Sequence, residues 1–175
     1  MNEPLIKDTF CSYCGSQFAD GTLYPKKCQL CKQETYSNPI PVATTLIPVH
    51  SKHKSQSLGL LLVQRLTEPH IGGWAFPGGY IVSEETWQEG ASREVFEEVN
   101  IKLDPCHISL HSVVSTRTLV IFAYYKHSIL WEDIQFIPNE EVSEIRMVTS
   151  FEELCFPSHT DILKKYFNRF IGKDE

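Results

Sequence analysis

The chain has 175 residues, 42% of them hydrophobic, which suits one domain with a small appendage and a real core. Its formal net charge of −6 speaks against a general nucleic-acid binder, which normally carries a basic face. Residues Met1 to Asp8 hold no basic segment followed by an apolar run, and no apolar stretch approaches ~18 residues. Neither a signal peptide nor a transmembrane helix is expected, and a soluble, cytoplasmic protein is.

Four of the six cysteines are ordered as Cys11-x2-Cys14, thirteen residues, then Cys28-x2-Cys31. Paired knuckles of this kind present four thiolates to one tetrahedral zinc. Gly15 permits the tight turn of a knuckle, and Asp20-Gly21 marks a hairpin tip. A segment this short cannot hold a core alone, so a metal staple is physically needed. Disulfides or four reduced thiols are the other readings, and a reducing compartment argues against the first. Residues 1–38 are therefore read as a zinc ribbon, and 39–175 as the main domain. Cys106 and Cys155 are read as ordinary core or surface thiols.

Ser37-Asn38-Pro39-Ile40-Pro41 is a proline-punctuated linker. Val42 to His50 and Leu58 to Leu66 follow as strands, with a polar turn over Ser51–Ser57. The unbroken run Leu60-Leu61-Leu62-Val63 fits a strand covered on both faces. Glu68 to Gly73 is a loop that leads into Trp74-Ala-Phe-Pro-Gly-Gly-Tyr80. Thr86 followed by Glu89 is a capping box, so a helix begins there and runs from Trp87 to Val99. Glu94, Glu97 and Glu98 stand at i, i+3 and i+4 on one face of it. Three like charges this close destabilise a helix unless a divalent cation binds them. Carboxylates with water suit Mg2+ or Mn2+, which also bind phosphates. A solvated acidic face is the bland alternative. Val95 and Val99 can face the core, and Asn100 suits a left-handed helix end. Farther on, Val113 to Tyr125 reads as strands around Arg117, Val142 to Val148 as a strand, and Phe151–Leu154 as a helical turn. Thr160 to Ile171 places Ile162, Leu163, Tyr166, Phe167 and Phe170 at helical spacing. Strands mixed with two main helices give an α+β fold. His70, His107 and His111 are isolated and receive no role.

Gly79, Glu85, Arg93, Glu94, Glu97 and Glu98 are spaced as in G-x5-E-x7-R-E-U-x-E-E-x-G-U, where U is a large aliphatic residue. This resembles the Nudix box, with Asn100 replacing its last glycine, and the resemblance covers roughly residues 39–171. It implies a mixed β-sheet sandwiched between helices, and metal-assisted hydrolysis of a nucleoside diphosphate linked to another group. Glu94, Glu97 and Glu98, with the Gly78 backbone carbonyl, would hold Mg2+ or Mn2+. Glu97 is the candidate for an additional ligand or base, and Glu85 with Arg93 would act as scaffold.

A zinc ribbon before such a domain resembles the NADH pyrophosphatase branch and its relatives acting on FAD or ADP-ribose. Glu141-Val-Ser-Glu-Ile-Arg146 is similar to the E-x-x-E-x-R stretch of that branch, which implies Glu141 as a further ligand, with Glu144 as the other candidate. Phe156-Pro-Ser158 resembles its F-x-S piece. The S-Q-P-W signature of NADH pyrophosphatases is missing from Ser112–Thr118, so ADP-ribose or FAD is expected before NADH. Trp74, Phe76, Gly79, Tyr80 and Ser158 are candidate substrate contacts, with core packing an equal reading for the aromatics. The expected partner is a small-molecule nucleotide, and a homodimer is compatible with the sequence. Hydrolysis of a nucleotide cap on RNA and a non-catalytic nucleotide sensor remain alternatives. Salt-dependent RNA binding would favour the former, and an absence of metal-dependent turnover the latter.

Overall fold

A computed structural model describes residues 9–19, 21–52 and 58–171, with only the backbone for residues 169–171. The N-terminal segment Met1–Asp8, Asp20 of the expected hairpin tip, residues 53–57 of the expected turn and the Phe170 side chain lie outside that description. The chain divides into two compact units, Met1–Pro39 and Ile40–Glu175.

The first unit contains one antiparallel pair, β1 (Lys26–Lys27) and β2 (Glu34–Thr35). One knuckle precedes it and the other forms the turn that joins its strands. In the first, Cys11 and Gly15 close the turn, with the Gly15 N–H donating to the Cys11 carbonyl at 2.9 Å and Gly15 at φ 72°. In the second, the Lys32 N–H donates to the Cys28 carbonyl at 3.1 Å. Lys32 holds φ 64° there, the position glycine fills in the first knuckle.

The second unit holds β3 (Ile40–Leu46), β4 (Pro48–His50), β5 (Leu58–Arg65), β6 (Trp74–Ala75), β7 (Gly78–Tyr80), α1 (Trp87–Val99), β8 (Ile108–Ser115), β9 (Thr118–Tyr125), β10 (Ile129–Leu130), β11 (Val142–Val148) and α2 (Pro157–Ile171). The β layer is divided into two mixed sheets. One has the order β7-β3-β9-β8, with β3 parallel to β9. The other has the order β10-β4-β5-β11, with β6 paired to β5.

The period-2 alternation of the strands explains the layering. Leu61 and Val63 of β5 pack with Ala91, Val95 and Val99 of α1. Leu60 and Leu62 pack with Ile162, Leu163, Tyr166 and Phe167 of α2. Ala123 against Val120 and Phe122 repeats the split on β9. The β layer therefore lies between two helices, as expected for the α+β class.

Four expected elements change. The strand expected from Val113 begins earlier, at Ile108. The strand expected over Val42–His50 is two strands, β3 and β4, because its halves join different sheets. The helical turn expected at Phe151–Leu154 is absent. Glu152 instead pairs with Arg146, and the Leu154 N–H donates to the Thr160 hydroxyl at 2.9 Å. The last helix starts at Pro157, three residues before Thr160, since proline is tolerated in a first turn.

Candidate active site

Helix α1 opens on the expected capping box. The Glu89 N–H donates to the Thr86 hydroxyl at 3.2 Å, and the Thr86 N–H donates to the Glu89 carboxylate at 2.7 Å. It closes at Asn100 in the left-handed conformation, φ 57°. Between these ends the helix turns Glu98 inward, 6% exposed, together with Ala91 and Val95. The Glu94 side chain is 12% exposed, whereas Glu97 is 53% exposed. The three carboxylates thus share a stripe but not an environment.

The strand facing them is β7. The Gly78 N–H donates to Glu98 Oε2 at 2.8 Å. The Thr45 N–H donates to the Pro77 carbonyl at 2.8 Å and the Ile81 N–H to the Pro41 carbonyl at 3.1 Å. By the alternation of an antiparallel ladder, the backbone groups of Gly78 and Tyr80 then point off this edge, away from β3. Tyr80 shows the consequence, since its carbonyl accepts from Arg93 Nη2 at 2.9 Å. Two glycines make the approach feasible. A Cβ on Gly79 would stand 2.3 Å from Glu94 Oε2. One on Gly78, at φ 149°, would stand 2.1 Å from the Ala43 carbonyl oxygen.

Arg93 is the hub of the charged network. Its Nε and Nη2 donate to Glu85 at 3.0 and 2.8 Å, and its Nη1 donates to Glu94 at 2.7 Å and Glu97 at 2.9 Å. These bonds hold the Glu85 carboxyl below its ordinary range and raise the guanidinium above its own. Burial acts the other way on the inner pair. It raises the Glu94 carboxyl, and it pushes Glu98 up to about 8. Repulsion from Glu141 adds to both shifts, which puts that residue in the same electrostatic neighbourhood. Glu144 enters neither shift and stands opposite Gln64 on β5.

The expected substrate contacts separate. Tyr80 is 57% exposed beside the glycines. Trp74 is half-buried, with the Arg146 guanidinium 4.1 Å above its ring, and Ser158 is half-buried in the first turn of α2. Phe76 is a correction: it is 2% exposed in the α2-side core and stacks on His159 at 5.5 Å, so its ring is not available to a base. Two residues escaped sequence reasoning. His159 is buried among Phe76, Phe122 and Phe156, accepts the Phe76 N–H at 3.2 Å, and is held neutral by burial, its pKa lowered to about 3. Asn139 bridges the end of α1 to the start of β11. Only the Pro138-Asn139 dipeptide, a turn signal, hinted at it.

In the N-terminal unit, the Sγ atoms of Cys11, Cys14, Cys28 and Cys31 all lie within 4.8 Å of one another. The Cys11–Cys31 and Cys14–Cys28 separations are both 3.6 Å. Tetrahedral zinc–thiolate bonds of about 2.3 Å place sulfurs roughly 3.8 Å apart, so the four atoms fit one metal ion. The Ser16 hydroxyl, 3.0 Å from Cys28 Sγ, lowers that thiol to about 6, whereas burial and the crowding of the other sulfurs raise Cys31 to about 12 in the metal-free cluster. Among the described residues no other group of three or more metal-ligating side chains lies as close together.

A family model for the NUDIX domain matches residues 40–170. The chain belongs to the Nudix family. Solved structures agree on the fold. A NUDIX hydrolase from Nitrosomonas europaea superposes with a TM-score of 0.67 at 25% identity, covering 94% of this chain and 93% of that one. A MutT/nudix family protein from Enterococcus faecalis gives 0.62 at 21% identity, covering 79% of this chain, which spans 64% of its length. The NUDIX domain of Shewanella oneidensis NrtR, solved with ADP ribose, gives 0.59 at 20% identity over 77% and 90% of the two chains. No curated protein matches the sequence. No helix among the described residues is long and apolar enough to cross a membrane.

The divalent cation that Nudix enzymes use fits this donor set. Glu94 is half-buried and Glu98 buried; burial raises both, Glu97 and Glu141 add to the first and Glu94 and Glu141 to the second, a cost that a bound cation would reverse. The Gly78 backbone supplies an edge-directed carbonyl beside them.

Proposed function

We propose that this protein is a metal-dependent pyrophosphatase that cleaves the diphosphate linkage of a nucleoside diphosphate derivative, ADP-ribose or FAD before NADH. The observation that carries the reading is the pair of carboxylates, buried Glu98 and half-buried Glu94, set against Gly78 and Gly79. Membership of the Nudix family and a NUDIX domain neighbour solved with ADP ribose support it.

Glu94, Glu98, Glu141 and the Gly78 carbonyl would hold Mg2+ or Mn2+. When bound, the cation neutralises phosphate charge and acidifies a water in line with phosphorus. The chain's own residues do the rest. Arg93 fixes Glu85, Glu94, Glu97 and the Tyr80 carbonyl in one network, which keeps the helix face in register with β7. Glu97 is exposed at the mouth of the stripe, where it serves as an additional ligand or accepts a proton from the attacking water. Gly79 leaves room for the Glu94 carboxylate, which any side chain there would strike. Tyr80 offers an exposed ring for a base, and Trp74 and Ser158 form more distant walls. The four cysteines hold structural zinc, which staples residues 1–38 as a ribbon; residues 39–175 form the hydrolase domain.

Turnover of ADP-ribose, FAD and NADH with Mg2+ or Mn2+ tests the reading. AMP with ribose 5-phosphate, or AMP with FMN, are the expected products. Pocket walls rather than the reaction centre set the preference, so discrimination of ~10- to 100-fold is expected. A kcat/KM for NADH well above both others would overturn the ranking.

A further inference from the structure

Glu141 stands just ahead of β11, on a different element from Glu94 and Glu98, so its spacing from them depends on how that element is tied to α1. One side chain spans the gap. Asn139 Nδ2 donates to the Glu97 carbonyl at 3.2 Å and to the Glu98 carbonyl at 3.0 Å. Its Oδ1 accepts the Glu141 N–H and the Val142 N–H, each at 2.9 Å. The partners leave no choice of amide orientation, because two carbonyls need a donor and two N–H groups need an acceptor. The Asn139 N–H closes the turn by donating to the Val142 carbonyl at 3.0 Å.

The last turn of α1 gives the arrangement its purpose. Its carbonyls carry the negative end of the helix dipole, and no basic side chain stands there. The Phe96 carbonyl is taken by the Asn100 N–H. The next two fall to Asn139, which ties the backbone of Glu97 and Glu98 to that of Glu141.

We propose that Asn139 is a positioning residue for the divalent-cation site, holding Glu141 against Glu94 and Glu98 through its paired amide contacts. This rests on the reading of Glu141 as a ligand. Outer-shell partners of metal ligands change affinity by roughly 10- to 100-fold when removed. Serine or alanine at this position cannot span both elements, so Glu141 loses its fixed distance from α1.

Mn2+ affinity, read from free Mn2+ by electron paramagnetic resonance on the full chain, tests this in wild type, Asn139→Ala, Glu141→Gln and the double variant. Asn139→Ala should bind Mn2+ about tenfold more weakly. In the Glu141→Gln background the same change should add nothing, since its target is already gone. Equal weakening in both backgrounds would mark Asn139 as merely structural and overturn the inference, as would wild-type affinity in folded Asn139→Ala. Wild-type affinity in Glu141→Gln would instead overturn the ligand reading beneath it. If Asn139→Ala fails to fold, Asn139→Ser keeps an acceptor for the turn but loses the reach to α1, and the same outcomes apply.

Discussion

The two helices cover opposite faces of one β layer, yet they bury different things. Helix α2 seats Ile162, Leu163, Tyr166 and Phe167 against Leu60, Leu62 and Phe122, and its buried imidazole, His159, is neutral and hydrogen-bonded. Helix α1 seats Ala91, Val95 and Val99 equally well, but it adds Glu98 at 6% exposure, with Glu94 close behind. One face is optimised for packing; the other gives up stability to keep carboxylates dry. A carboxyl group buried without an ion-pair partner of its own, as Glu98 is, costs stability that only a bound cation would return.

The contrast is broken most severely by changing the inner carboxylate. Glu98→Gln keeps shape but removes the charge, and kcat for ADP-ribose should drop by at least ~100-fold while the protein stays folded. Steady-state kinetics on the purified variant check this, and near-normal turnover would exclude the proposed cage. On the other face, Leu163→Ala should destabilise by about 2–5 kcal/mol in denaturant unfolding, with kcat of the folded fraction little changed.

The two faces should also answer pH in opposite directions. Glu98, raised from 4.5 to about 8, holds a proton in the folded state that the unfolded chain releases. Its contribution to metal-free stability is therefore complete below about 4.5 and is lost as pH rises through about 8. His159, lowered from 6.5 to about 3, refuses a proton that the unfolded chain accepts, so its contribution is intact above about 6.5 and is lost as pH falls toward 3. Urea midpoints of metal-free protein across pH, for wild type and Glu98→Gln, should show the alkaline loss flatten in the variant alone. Smallest of all, Asn100→Gly should leave activity within a few-fold and raise stability by at most a few tenths of a kcal/mol, roughly, because asparagine already occupies the left-handed end. Outside both faces, metal analysis should find about one zinc per chain, and chelation should loosen residues 1–38 and spare α1.

What could be read in advance follows the range of the interactions. Helix α1 was legible to the residue, since the Thr86–Glu89 box and the Asn100 end are local signals, and the spacing of Glu94, Glu97 and Glu98 needs only the helix period. The four cysteines were legible for the same reason. The break between β3 and β4 was not, because it depends on which sheet each half joins. The bridge made by Asn139 reaches across 41 and 42 residues, which no spacing reveals. Phe76 shows the limit of composition: an aromatic beside a glycine pair reads alike whether it stacks on a ligand or, as here, on His159 in the core.

The central claim, that α1 keeps Glu98 buried for a divalent cation, is tested most directly by thermal unfolding at pH 8 with and without Mg2+ in wild type and Glu98→Gln. Wild type should gain Tm on adding Mg2+, whereas the variant should begin higher without metal and respond little. Equal Mg2+ responses in the two proteins, or a metal-free variant no more stable than wild type, would contradict the account.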